Sequence, residues 1–347
     1  MNALVVTEVG KPLTLTTRQV QPPGPSQVQI RVTVAGLNPH DQKCRDRGFL
    51  IADRLPAVLA NDVVGRVTAV GKGVTKYKVG DRIFTQGNSS PGSPQNGLQE
   101  YAVEDVDFSA KIPASMSNDQ AATLPSNLLA PMVAFFHADT LNFPAPWAET
   151  ASGFDYAGKT VLIIGGGSNC GRLGVQVAAL AGIGRIIVVG GDQAELESYG
   201  GTHVLSRHGG EDSILARIHD VVGDDLIYVY DAVNRPSEQH LGVNALSNTK
   251  RGVLARLVTS SLPDETKIRP KTAGYDVKNV YGSSHLHPEF ATALWSRLPG
   301  YLEDGRIKPL TRFEVFESGL DADKVNEVLD RYRDGKRVFQ PHFHISK

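Results

Sequence analysis

Val161-Leu162-Ile163-Ile164-Gly165-Gly166-Gly167-Ser168-Asn169-Cys170-Gly171 is an apolar run that enters a cluster of glycines and then a helix-length segment, 173–181. The apolar residues suit a strand covered on both faces. Glycine permits the tight turn and the close backbone approach that follow it. Such a junction aims backbone N–H groups and the positive end of a helix dipole at one point, an arrangement that suits a pyrophosphate. Counting back from Gly171 puts Ser168 where the middle glycine of a strict G-x-G-x-x-G would fall, so the turn is a variant of that pattern.

Outward from this turn, the succession of apolar strand, turn and helix-length segment repeats from residue 160 to about 282. Strands are expected at 161–164, 185–189, 203–205, 227–231, 252–257 and 277–281, which reads as βαβ units building a parallel sheet. Before residue 125 the pattern differs: Val28-Gln29-Ile30-Arg31-Val32-Thr33-Val34 alternates with period two, and Gly and Pro punctuate short β-rich runs. Beyond Pro288 come a helix at 289–303, a strand at 312–316 that returns to the first domain, and an amphipathic helix at 323–333. The expected class is therefore α/β. A β-rich domain takes residues 1–124 and 286–347, and a doubly wound parallel-sheet domain takes 125–285. Residues 87–97, rich in Ser, Pro, Gly and Asn, read as an exposed loop. Residues 142–153, with Pro144, Pro146 and Trp147, read as an insertion that sets substrate size.

The second strand of the parallel sheet ends in Gly190-Gly191-Asp192, where an NAD-specific site would place an acid at the tip. Gly190 holds the tip instead, which removes a repulsion against a 2′-phosphate and favours NADP(H), although Asp192 lies close. Arg207 is a candidate partner for that phosphate, with a solvated surface arginine as the alternative. Arg172 opposes the helix dipole at the start of 173–181, and a salt bridge to cofactor phosphates would offset that cost.

The chain has 347 residues, 41% of them hydrophobic, with 36 basic and 37 acidic side chains and a formal net charge of −1. That balance disfavours nucleic acid and anionic membranes as partners. Only Cys44 and Cys170 occur, which excludes a four-cysteine zinc lobe and fits a reducing compartment. A cytoplasmic protein is expected, since the start lacks a signal-peptide pattern and no apolar stretch nears the ~20 residues of a membrane span. The histidines offer two close pairs, His285/His287 and His342/His344, read as surface residues, and no metal site is expected.

Several motifs together resemble the medium-chain dehydrogenase/reductase superfamily over essentially the full length, most closely its zinc-free quinone oxidoreductase and fungal trans-acting enoyl reductase branches. Gly36-Leu37-Asn38-Pro39-His40-Asp41-Gln42-Lys43 looks like the N-P-x-D-x-K segment of those members. Asn61-Asp62-Val63-Val64-Gly65-Arg66-Val67 looks like the G-H-E-x-x-G-x-V signature, with Asn38 and Asn61 where zinc-dependent relatives carry ligands. Gly80-Asp81-Arg82-Ile83 and Val229-Tyr230-Asp231-Ala232-Val233 match two further elements.

The resemblance implies a GroES-like β-rich domain beside a Rossmann domain. It also implies that Lys43 serves the substrate carbonyl, with Asn38 and Asp41 organising the pocket or touching the cofactor; Asn-Pro and Asp are also common loop formers. Asn38, Pro39, Ser126, Gly165, Gly166, Gly167, Ser168, Asn169, Cys170, Gly171, Gly190, Asp192, Arg207, Ala232, Val233, Gly282 and Ser283 are the expected cofactor-binding set, and Ser126 could equally be a helix cap. Without zinc to stabilise an alkoxide, hydride delivery to an activated C=C or a quinone is the expected chemistry. The substrate is a small molecule or an acyl chain carried by a partner synthase, and the protein is a monomer or homodimer. A cofactor-binding regulatory protein of the same fold, without turnover, is the alternative.

Overall fold

Alternation along Gln27–Gly36 becomes a strand in which Val28, Ile30, Val32 and Val34 are buried while the residues between them are more exposed up to Thr33. The computed structural model describes residues 1–233, 235, 238–257 and 264–346. It divides into two units: Met1–Ser126 with Ser283–Gly305 and Pro309–Lys347, and Asn127–Gly282 with Arg306–Lys308. The structure of both is mixed α/β, one GroES-like and one Rossmann-like.

In the first unit Gln27–Gly36 is the hub of a seven-stranded sheet. Asp62–Val70 pairs with it antiparallel along one edge, and its other edge is shared by Tyr101–Asp105 and Gln340–His344. Arg82–Gln86 and Ser109–Lys111 extend the sheet beyond Asp62–Val70, and Phe313–Phe316 runs parallel to Gln340–His344. Val28, Ile30, Val32, Val63, Val67 and Ile83 fill its core. Full burial of such side chains contributes roughly 1.5–3 kcal/mol each. A smaller sheet joins Thr14–Thr17, Asn2–Val6 and Ala57–Val58.

The second unit is a six-stranded, all-parallel sheet in the order His203–Leu205, Arg185–Val189, Thr160–Ile164, Tyr228–Asp231, Gly252–Leu257, Tyr275–Val280. Chain order reverses beside Thr160–Ile164, which makes the carboxyl end of that strand the topological switch point where such sheets bind ligands. These strands agree with the sequence expectation to within two residues. The following helix, Asn169–Ala181, starts four residues earlier than read from the apolar pattern, because Ser168 caps it and brings Cys170 and Gly171 into the first turn.

Three expectations need correction. Residues 87–97 are not an exposed loop: only Pro91 and Gly92 are exposed, while Gln95 is buried and bonds Asn88 N (3.0 Å) and Asp105 (2.8 Å). The 142–153 stretch is anchored by buried Phe143, whose ring centre lies 4.6 Å from that of Tyr228, tilted by 51°, at the amino end of the Tyr228 strand, the end opposite the glycine turn. His342 is no surface residue: it lies fully buried in Gln340–His344, and its ring shares Asp119 with His344 at 3.1 and 3.0 Å. Among the described residues no helix is long and apolar enough to cross a membrane.

Candidate functional site

Pro39 opens the helix Pro39–Arg47, where its fixed φ and missing N–H cost nothing. Asp41, in the first turn, accepts from Asn38 N at 2.7 Å and from Ala60 N at 2.9 Å, so both its oxygens are spent on backbone donors. It is 1% exposed and positions the chain rather than facing a substrate. The Asn38 amide leaves the helix end and donates to Asp62 Oδ2 at 2.7 Å. Asp62 also accepts from Ser126 N (2.7 Å) and Gln340 Nε2 (3.0 Å). Burial pushes the Asp62 carboxyl up, against the pull of the Ser126 and Asn38 donors.

Ser126 therefore contributes its backbone N–H, and its hydroxyl lies 3.4 Å from Gln86 Nε2. Gln86 Oε1 in turn accepts from Ser284 N and Oγ at 2.8 and 3.0 Å, and Trp295 Nε1 donates to the same hydroxyl at 3.0 Å. Thus buried Ser284 enters this network, whereas its neighbour Ser283 is half-buried. Asn61 bonds His40 (3.0 Å) and donates to Gly87 O (2.6 Å). His285, read as a surface histidine, instead bonds Asp105 at 2.9 Å and meets the edge of Phe108.

Lys43 lies one helical turn beyond this cluster. It is half-buried, and its ammonium makes no hydrogen bond or ion pair among the described residues. Desolvation holds its pKa below 10.5, with Arg47 adding to the shift and Cys44 opposing it. The helix beneath it is clamped by Arg45, 3% exposed, which pairs with Asp46 at 2.5 Å and with Asp330 of the helix Ala322–Arg333 at 2.6 Å.

In the second unit the glycine turn is closed by backbone contact. A Cβ on Gly166 would stand 2.5 Å from Gly190 O, and one on Gly171 2.2 Å from Gly165 O. Ser168 Oγ donates to Gly165 O (2.8 Å) and accepts from Gly171 N (3.0 Å), capping the helix. The outer side of the turn is open: a Cβ on Gly167 would meet nothing nearer than 3.4 Å, and the Gly167 N–H has no protein partner among the described residues. Asn169 and Cys170 complete the first turn, Cys170 Sγ lying 3.7 Å from Asn127 Oδ1. An open glycine cradle with an unused N–H at a helix start fits the pyrophosphate of a dinucleotide.

Around it the carboxyl edge brings together the other expected residues of this unit. The Val233 side chain abuts Gly165, and Ala232 N donates to Ile164 O at 3.0 Å. At the second strand's tip Gly190 has φ +79°, and a Cβ there would lie 3.2 Å from Arg207 Cδ. Asp192 accepts from Glu195 N at 2.9 Å and caps Gln193–Ser198. Gly282 packs on the backbone of Ala130. Arg172 is not directed at phosphates in this structure: its Nε bonds Glu195 at 3.0 Å and its Nη1 bonds Gly167 O at 2.7 Å.

Asp62, Gln86, Ser284 and Gln340 were not singled out from sequence. For Asp62 a signal existed, an acid heading the apolar run Val63-Val64. For the others only the fold reveals the partners.

Residues 24–114 match the alcohol dehydrogenase GroES-like domain. Over 98% of its length the chain is similar, at 27% identity, to the trans-enoyl reductase resD of Aspergillus sclerotiorum, all of which is covered. Among solved structures, an alcohol dehydrogenase superfamily protein from Novosphingobium aromaticivorans shares the fold with a TM-score of 0.77 at 22% identity, covering 100% of both chains. Mycobacterial Rv1454c complexed with NADPH gives 0.74 at 21% identity, covering 99% of this chain and 100% of that one.

Proposed function

For this chain of the medium-chain dehydrogenase/reductase superfamily, we propose the activity of a zinc-independent, NADPH-dependent reductase of activated C=C bonds, in an enone or enoyl thioester, or of quinones. The observation that carries the reading is Lys43, a half-buried amine without a partner among the described residues, on a helix fixed at its start by Asn38, Asp41 and Asp62. The likeness to a trans-enoyl reductase supports the oxidoreductase class. A dinucleotide held by its pyrophosphate at Gly165–Gly171 would supply a hydride, from its reduced nicotinamide, for the electron-poor carbon.

Negative charge then develops on the substrate's carbonyl oxygen, and the Lys43 ammonium donates a hydrogen bond to it. Because burial lowers the Lys43 pKa, the proton is more readily shared with an enolate than from an ordinary lysine. Asn38 and Asp41 hold the helix start; Asn38 and Asn61, engaged with Asp62 and with His40 and Gly87, are amides where zinc-dependent relatives carry ligands. Gly165–Gly171 would hold the pyrophosphate, and Gly190 with Arg207 would accept the 2′-phosphate.

Fluorescence titration with NADPH and NADH tests the cofactor half of this reading. Substrate-dependent loss of reduced-nicotinamide absorbance tests the catalytic half. Binding without consumption would favour a regulatory protein or a substrate delivered by a partner synthase.

A further inference from the structure

The tip of the second parallel strand carries an electrostatic conflict. Helix Gln193–Ser198 begins there with Asp192 as its cap and Glu195 in its first turn, and Arg207 is the cation that lies against Gly190. A free carboxylate at this tip repels a 2′-phosphate, which is how NAD-specific sites exclude NADP. Glu195 is not free. Its carboxylate is bonded by Arg172 Nε at 3.0 Å, and the two side chains are only 15% and 9% exposed. The same guanidinium donates to the Gly167 carbonyl at 2.7 Å, so one side chain ties the glycine turn to the neighbouring helix.

Resting on the NADPH reading above, we propose that Arg172 is a positioning residue for cofactor choice. It neutralises Glu195 and holds it against the glycine turn, so that of the two acids at this tip only Asp192, bonded by Glu195 N, keeps an uncompensated charge near Arg207. This assignment also accounts for a cation in the first turn of Asn169–Ala181, where the helix dipole disfavours it. The partner carboxylate offsets the dipole. Specificity then arises from a repulsion that is masked, not from a new attraction.

A double-mutant cycle separates this role from direct phosphate contact and from simple support of the fold. Dissociation constants for NADPH and NADH would be measured by fluorescence for the unmodified protein, Arg172→Met, Glu195→Gln and the double variant, with thermal unfolding of each. Arg172→Met is expected to weaken NADPH at least about tenfold and NADH by no more than about threefold, and adding Glu195→Gln is expected to restore NADPH to within about threefold. Loss of NADPH affinity that Glu195→Gln fails to restore would overturn the proposal in favour of direct contact, and equal loss of both cofactors would make Arg172 a structural residue.

Should Arg172→Met not fold, Glu195→Gln alone still decides. Its NADPH affinity is expected within about threefold of the unmodified protein, and a tenfold loss would contradict the account. An unmodified protein that binds NADH as tightly as NADPH would instead sink the cofactor reading on which the proposal rests.

Discussion

Asn38 and Asp62, 24 residues apart, meet through a 2.7 Å hydrogen bond between a side-chain amide and a buried carboxylate. Through the same carboxylate, Asn38 is joined to Ser126 N and to Gln340 of the carboxyl-terminal strand. Asp62→Ala would take the acceptor from Asn38 Nδ2 and Ser126 N at a fully buried position, while Gln340 Nε2 keeps Ala122 O at 3.2 Å. A loss of about 3–5 kcal/mol is expected in urea unfolding, by analogy with breaking a buried charged network. A loss below about 1 kcal/mol would mean that water replaces the carboxylate and that Asp62 does not hold the site together.

Lys43→Met removes the proposed donor without touching the glycine turn. Steady-state kinetics should show kcat reduced on the order of 100-fold, with NADPH affinity changed by less than about twofold. In the unmodified enzyme the alkaline limb of the kcat profile should fall below pH 10.5, because desolvation depresses this amine. A variant with unchanged kcat would remove Lys43 from the mechanism.

Gly171→Ala tests the turn itself, because the added methyl would stand 2.2 Å from a backbone oxygen that cannot rotate away. NADPH affinity should drop at least about tenfold, with a lower melting temperature. Gly167→Ala is the control for folding, as its nearest neighbour would be 3.4 Å away. It should melt like the unmodified protein, and equal destabilisation by both would contradict the turn geometry.

These sites differ in how far they could be read from sequence. The glycine turn and its strand were legible because the apolar run 161–164 and the glycines act locally. Gln340-Pro341-His342-Phe343-His344 was not legible as a strand, because a proline and two histidines interrupt the apolar pattern that signals one. Its burial comes from strands more than 300 residues earlier, as in the pairing of His342 with Gly36. Sequence offers a phosphate as one way to offset the cost of Arg172 at a helix start, because its position is visible there and its partner is not: Glu195 lies 23 residues on, brought near by the parallel packing of two βα units. Asp41 is expected to organise the pocket or touch the cofactor, but that its two oxygens are taken by Asn38 N and Ala60 N emerges only from the fold.

Half-buried His344, beside Asp119, carries a pH dependence. Burial pulls the His344 imidazole down, but Asp119 and Glu317 outweigh it and leave the pKa above 6.5. Burial raises Asp119, while His342 and His344 bring it below 3.8. A raised histidine contributes stability that is complete below its unfolded value and lost as pH rises through the folded one; the depressed carboxylate's share is lost as pH falls. His344→Gln should therefore lower the melting temperature most at about pH 5–6 and progressively less above pH 7. A deficit that grows with pH would contradict the pairing.

The most direct test of the central claim is absorbance of reduced nicotinamide in a mixture of protein and NADPH as an enone, a quinone or an enoyl thioester is added. The account predicts consumption of NADPH with at least one of them, with loss of that consumption in Lys43→Met while NADPH still binds. Tight NADPH binding with no consumption across all three classes, under conditions where the protein is folded, would contradict the assignment as a reductase of free substrates.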